Sequence, residues 1–217
     1  MRDKARRRSP LHLRDRLLLA VLGASMVGTA CAGPPVEDGW QVTVYYTAVE
    51  SLHDRTPTQE VIGCPTLDCS NGTTPLGRYP STFVTAVKDE GAGRITSGPS
   101  QGRYLNWSFG EGYWLDDAPR DHAGRPLEPY RSAAADGVPD GTPVRLVDCG
   151  HTHGGGPPSP RVCSALRGGK WEIRDGFTPG YGGDRHIDLY IGEENTPEFT
   201  RSEFYATFDN ATLQLAR

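Results

Sequence analysis

Past residue 31 the chain offers seven short runs of strand character and no long stretch with a 3.6-residue apolar period, which limits it to folds made mostly of β-structure. The runs are WQVTVYYTAV (40–49), STFVTAVKD (81–89), GRYLNWSF (102–109), TPVRLVD (142–148), KWEIRD (170–175), RHIDLYIG (185–192) and ATLQLA (211–216). With 27 Gly and 18 Pro in 217 residues, turn signals recur at short intervals, so any helix has to be short. Short strands punctuated by turns predict an all-β sandwich or a small barrel. The connections over 50–80, 115–130 and 149–169 are long and polar, and no internal repeat stands out.

One run carries an acid that no turn explains. Side chains in a strand alternate, so in RHIDLY Ile187 and Leu189 share one face while His186, Asp188 and Tyr190 share the other, which is expected to be wet. An acid on the wet face of a barrel strand is either a reactive group or a hydrogen-bond anchor. Asp175 in IRDGF and Asp136 in ADG differ from it, because aspartates beside glycine turns commonly hydrogen-bond their own backbone. Both therefore have a purely structural reading.

The first residues read as an export signal. Seven basic residues within 1–16 precede an uncharged run, LLLAVLGASMVGTA (17–30), which meets small residues and Cys31; it is too short for a comfortable membrane span. Two exits are open: lipid attachment to Cys31, or cleavage at Ala30-Cys31-Ala32. Residues 32–39 read as a tether and 40–217 as one domain. The expectation is an exported protein of the extracellular space or cell envelope, meeting a membrane only through a lipid on Cys31. Export leaves Cys64, Cys69, Cys149 and Cys163, for which three pairings exist; Cys64–Cys69 with Cys149–Cys163 is the local one. The whole chain has 23 basic and 27 acidic residues, of which 1–31 hold 7 and 2, so the remainder carries 16 and 25, a net of −9. Such a surface repels nucleic acid and anionic lipid and leaves uncharged polymers such as polysaccharide as partners.

Two stretches point to a family. SAAADGVPDGTPVRL (132–146) followed by IRDGFTPGYGGDRHIDLY (173–190) resembles the three-aspartate (3D) domain of membrane-bound lytic transglycosylase A and of secreted stationary-phase muralytic proteins. The resemblance spans 132–192, with VTVYYTAV fitting the family's opening strand. It implies a six-stranded double-psi β-barrel with long loops and places the three acids at Asp136, Asp175 and Asp188. The family usually carries Gly-Gly-x-Ile-Lys-Gly after the second aspartate, where this chain has GFTPGYGG and no lysine. The chemistry implied is lytic cleavage of the MurNAc–GlcNAc bond of peptidoglycan, in which one acid protonates the glycosidic oxygen and the sugar's own C6 hydroxyl closes a 1,6-anhydro ring. Hydrolases generally need two carboxylates and a water instead. That single acid must stay protonated near neutrality, so burial or a neighbouring carboxylate has to raise its pKa. By motif position Asp188 is the acid, and Asp175 and Asp136 tune or orient it.

Other residues remain candidates beside these. Trp107, Tyr113 and Trp114 in YLNWSFGEGYWLDD form either a sugar-stacking shelf, with Tyr190, or part of the core. Glu111, Asp116 and Asp117 are rival acids. His151 and His153 share a face if extended, but no third ligand is near, and no metal or other cofactor is expected. Two functions follow: an exported lytic transglycosylase, or a non-catalytic double-psi barrel that binds cell-wall glycan.

Overall fold

The computed structural model describes residues 34–216. In chain order the strands and α-helices are β1 (Val36–Val49), β2 (Thr58–Gly63), β3 (Thr74–Pro80), α1 (Ser81–Glu90), β4 (Ala92–Arg94), β5 (Tyr104–Ser108), β6 (Gly112–Asp116), β7 (Ser132–Ala135), β8 (Pro143–Asp148), β9 (His151–Thr152), α2 (Pro160–Arg167), β10 (Trp171–Asp175), β11 (His186–Glu193) and β12 (Phe208–Leu215). The segment 1–31 that reads as an export signal, Cys31 included, lies outside the described residues. Within them, no helix is long and apolar enough to cross a membrane.

Six strands close on themselves. β1 pairs with β11, β11 with β7, β7 with β10, β10 with β8, β8 with β12, and β12 returns to β1. The β1–β11 and β7–β10 pairs are parallel and the rest antiparallel. This is a double-psi β-barrel, and the described residues are mostly β. Its interior holds Val42, Val44, Leu146, Ile173, Ile187, Leu189, Leu213 and Leu215, with Ala133 and Ala135 from the all-buried strand β7. Ile187 and Leu189 are each 1% exposed, as the alternation of RHIDLY requires.

The end of β1 leaves the barrel and starts a second lobe. Ala48 and Val49 pair in parallel with Gly93 and Arg94 of β4, which continues into the β5–β6 hairpin. Helix α1 and the β2–β3 hairpin cover this sheet, and Tyr46, Val61, Leu76, Phe83, Val87 and Leu105 fill the core between them. The disulfides are Cys64–Cys69 and Cys149–Cys163, the local pairing; the second links the end of β8 to α2.

Three expectations need correction. The segment 81–89, rich in β-branched residues, is helix α1: Phe83, Val84, Val87 and Glu90 bury at helical spacing, and that tertiary burial outweighs local strand preference. Gly91, at φ +89°, ends the helix in the left-handed conformation that glycine tolerates. The presumed connection 50–80 holds the β2–β3 hairpin, whose buried residues are too sparse for alternation to show. The presumed tether 32–39 overlaps β1, where Val36 lies opposite Gln214 and Glu37 opposite Leu213.

Replacing Leu189 by Ala should cost about 2–5 kcal/mol in denaturant unfolding, as other core truncations do. A loss under about 1 kcal/mol would contradict its place in the barrel interior.

Candidate active site

The outward face of the β1–β11 pair gathers the acids. The parallel register sets Thr43 opposite Asp188 and Tyr45 opposite Tyr190, so two hydroxyl residues of β1 stand beside an acid and a phenol of β11. Across the barrel end, β10 terminates in Asp175. The Tyr45 hydroxyl donates to Asp175 Oδ2 at 3.1 Å and so reaches over to this second acid. Asp175 Oδ1 in turn accepts the backbone N–H groups of His122 and Gly176, each at 2.9 Å, and the His122 ring nitrogen lies 3.4 Å away. Both oxygens of Asp175 are thus provided with donors, as an ionised carboxylate requires.

Asp188 lives in a different environment. Its Oδ1 is sealed from solvent and has no hydrogen-bond partner, although the residue keeps a modest exposed surface. Burial first, then the negative charge of Asp175, push its pKa up to about 7, with the Thr43 hydroxyl and the Leu189 backbone acting the other way. The hydroxyl of Tyr45 is also driven well above its ordinary range, by burial and then by Asp175 and Asp188. Of the two neighbouring aspartates, Asp188 is thus the one whose surroundings favour a proton near neutrality.

Asp136 plays a separate part. Its Oδ2 accepts the N–H of Gly183 at 3.1 Å and so holds the 176–185 loop. A Cβ at Gly182 would fall 2.0 Å from the same oxygen, so the close approach needs glycine there. Asp136 faces His186, whose ring stacks on Phe177 with centroids 4.5 Å apart.

The aromatic candidates divide. Trp114 is buried at 4% and belongs to the core, while Trp107 and Tyr113 are half-buried with ring centroids 6.5 Å apart. Tyr190 does not stand on a wet face: it is 2% exposed, packed with Tyr45 and Leu127, and its hydroxyl lies 2.6 Å from Thr47 Oγ1. The loop carrying Leu127 covers that part of the barrel's outer surface, which alternation cannot foresee. Among the rival acids, burial would raise Asp116, but hydrogen bonding to Arg120 at 2.5 Å holds it down to about 2. His153 Nδ1 sits 3.0 Å from Asp209 Oδ2, and among the described residues no group of three His, Cys, Asp or Glu is placed to hold a metal ion.

The structure adds residues that the sequence did not single out. Thr43 and Tyr45 are legible only once the parallel β1–β11 register is known. Glu90, at the end of α1, accepts the Tyr205 hydroxyl at 3.1 Å and the Tyr46 N–H at 3.3 Å. Burial and then the charge of Asp188 push it up to about 8. It lines a cavity of about 600 Å³ together with Tyr46, His53, Asp89, Glu194 and Tyr205.

A closed double-psi barrel with an appended lobe and an acid pair on its outer face defines a structural class before any relative is compared. Among solved structures, the chain is similar to Escherichia coli MltA with bound chitohexaose, at 13% identity over 82% of this chain and 72% of that one, with a TM-score of 0.51. A membrane-bound lytic murein transglycosylase from Agrobacterium tumefaciens aligns at 13% identity over 81% and 73%, with a TM-score of 0.49. At this identity the likeness is one of fold. No protein-family profile and no curated protein sequence matches the chain.

The raised pKa of Asp188 has a stability consequence with a definite sign. The folded chain binds an extra proton between the ordinary aspartate value of 3.8 and about 7, so Asp188 makes the fold lose stability as pH rises through that window. Asp188→Asn removes the penalty. Its stability relative to wild type should improve between pH 4 and pH 7 by about 1–4 kcal/mol and then level off, judged at about 1.4 kcal/mol per pKa unit. A constant difference across the window, measured by urea unfolding, would show that Asp188 titrates normally.

Proposed function

We propose that this chain is an exported peptidoglycan lytic transglycosylase in which Asp188 is the single acid and base. The observation that carries the reading is the contrast between the two aspartates: Asp175 is supplied with donors on both oxygens, whereas Asp188 is desolvated, has an unpartnered oxygen and holds its proton to about pH 7. The fold shared with MltA, crystallised with chitohexaose, supports a β-1,4-linked amino-sugar polymer as the substrate class. The acidic surface suits a glycan rather than a polyphosphate.

In this mechanism Asp188 gives its proton to the oxygen linking MurNAc to GlcNAc, and the bond from that oxygen to the anomeric carbon breaks. The C6 hydroxyl of the same MurNAc attacks the anomeric carbon, and its proton returns to Asp188. The product is a 1,6-anhydro ring, no water is consumed, and the enzyme ends in its starting protonation state. The negative charge beside it on Asp175 strengthens the hold of Asp188 on its proton, and Tyr45 fixes Asp175 in place. Asp136 acts at one remove, by holding the 176–185 loop. Half-buried Trp107 and Tyr113 are the aromatic surface left for sugar stacking.

Incubation of the chain from residue 32 onward with purified sacculi, followed by mass spectrometry, tests the reading. Soluble muropeptides should appear 18 mass units lighter than hydrolytic ones, because the anhydro ring forms without water. The rate should fall as pH rises through about 7, since only protonated Asp188 can act. Asp188→Asn should lower it by about 10²–10⁴-fold while sacculus binding persists. Binding with no released fragment at any pH from about 4 to 8 would make the protein a glycan-binding barrel. Cleavage that survives Asp188→Asn would move the acid elsewhere.

A further inference from the structure

Between Asp175 and the strand that carries Asp188 the chain runs through a loop, 176–185, whose path is tied down at several points. Thr178 to Tyr181 form a β-turn: the Thr178 carbonyl accepts the Tyr181 N–H at 3.0 Å, and Gly180 supplies φ +92°. Proline followed by glycine in the middle of a turn, here Pro179 and Gly180, is the type II pattern. Gly182 is wedged, since a Cβ there would meet Asp136 Oδ2 at 2.0 Å and the Phe177 ring at 2.7 Å. Gly183 gives its N–H to Asp136 at 3.1 Å, and the Phe177 ring lies on that of His186. At the far end the Arg185 carbonyl accepts the Gln41 N–H at 2.8 Å, which ties the loop to β1.

On this fixed backbone one large ring is left in solvent. Tyr181 is 76% exposed, the most exposed of the large apolar side chains among the described residues, and none of those residues is in ring contact or side-chain hydrogen bonding with it. Single exposed apolar residues are ordinary on a protein surface, so exposure alone argues nothing. Place and backing do. The neighbours of Asp188 lead to Tyr181: His186 stands on the same outer face, two residues or about 7 Å along the strand, Phe177 stacks on His186, and Gly182 touches Phe177. Residues 176–183 carry no charged side chain. A tyrosine has few bonds to freeze, and with its backbone already held it loses little freedom when something lies on it.

We propose that Tyr181 is a sugar-stacking platform, whose ring receives the C–H face of a pyranose in the glycan strand at a position other than the sugar on which Asp188 acts. The inference rests on the reading of the acid-bearing face as a glycan site. A β-1,4-linked amino sugar turns C–H bonds to its two faces and keeps its hydroxyl and amide groups around the rim. An exposed aromatic ring with a polar tip, mounted on an uncharged loop, complements that distribution. A polyanion finds no cation on this segment and is repelled by the acids beside it. Tyr181 in this role adds affinity and fixes the register of the strand, and it takes no part in proton transfer.

The test is binding of chitohexaose to the exported, processed protein, followed by calorimetry and proton NMR. The protons on one face of a bound sugar should move upfield, as they do over an aromatic ring. Tyr181→Ala should abolish that shift and weaken binding about tenfold, the scale of an aromatic anchor. Tyr181→Phe should stay within about twofold of wild type and Tyr181→Trp should bind at least as tightly, because the ring and not the hydroxyl carries the contact. Thermal unfolding of Tyr181→Ala should match wild type, as for an exposed side chain; should that variant be unstable, Tyr181→Leu, which keeps apolar bulk without a ring, replaces it with the same expected loss. Tyr181→Ala or its replacement binding chitohexaose as tightly as wild type overturns the proposal, and so does a wild type that binds none. Weaker binding by Tyr181→Ala in a protein that leaves sacculi uncleaved sinks the lytic reading alone, whereas cleavage with binding indifferent to Tyr181 sinks the platform alone.

Discussion

The parallel pairing of β1 with β11 is the constraint on which the rest of the molecule depends. It sets Val42 and Val44 of one strand and Ile187 and Leu189 of the other into the barrel interior, and by the same alternation it sets Thr43, Tyr45, Asp188 and Tyr190 on the outside. Because the side-chain period is two, a slip of one residue would bury the acid and expose the aliphatic core. Core packing therefore fixes the register, and the register brings the polar groups of the site together. The chemistry is positioned by hydrophobic burial that has no chemical role of its own.

Electrostatics then separates two residues of the same type. Asp175 sits at the end of a strand, where the amides of Gly176 and His122 reach its Oδ1 and the Tyr45 hydroxyl its Oδ2. Asp188 sits mid-strand, and its Oδ1 is left sealed from solvent with no partner. Position within a strand, more than the identity of the residue, decides how each carboxyl is solvated and partnered. Glu90 carries the same logic into the second lobe, since it is a buried carboxyl whose affinity for its proton rises when Asp188 ionises.

Much of the barrel was legible because its evidence is local. The alternation of RHIDLY, the turn residues around Gly137 and Gly141, and the paired cysteines each announce themselves within a few residues. What was not legible required partners far away in the chain. Tyr190 looked wet because nothing in its own strand reveals that Leu127 and Tyr45 cover it. The segment 81–89 looked like a strand because its threonines and valines favour one, and only the core it meets makes a helix of it. Thr43 carried no signal until β11 was known to lie beside it, and Glu90 none until α1 was known to end there.

β1 also has a mechanical meaning. Its first residues are staves of the barrel, and its last residues are the founding strand of the second sheet, with no linker between the two roles. A lobe attached in this way cannot be shuffled as a cassette or swung like a jaw, because any rotation would have to bend a continuous ladder near the register shift between Tyr45 and Thr47. The outer face that carries the acids is accordingly set on a frame that barrel and lobe hold in common.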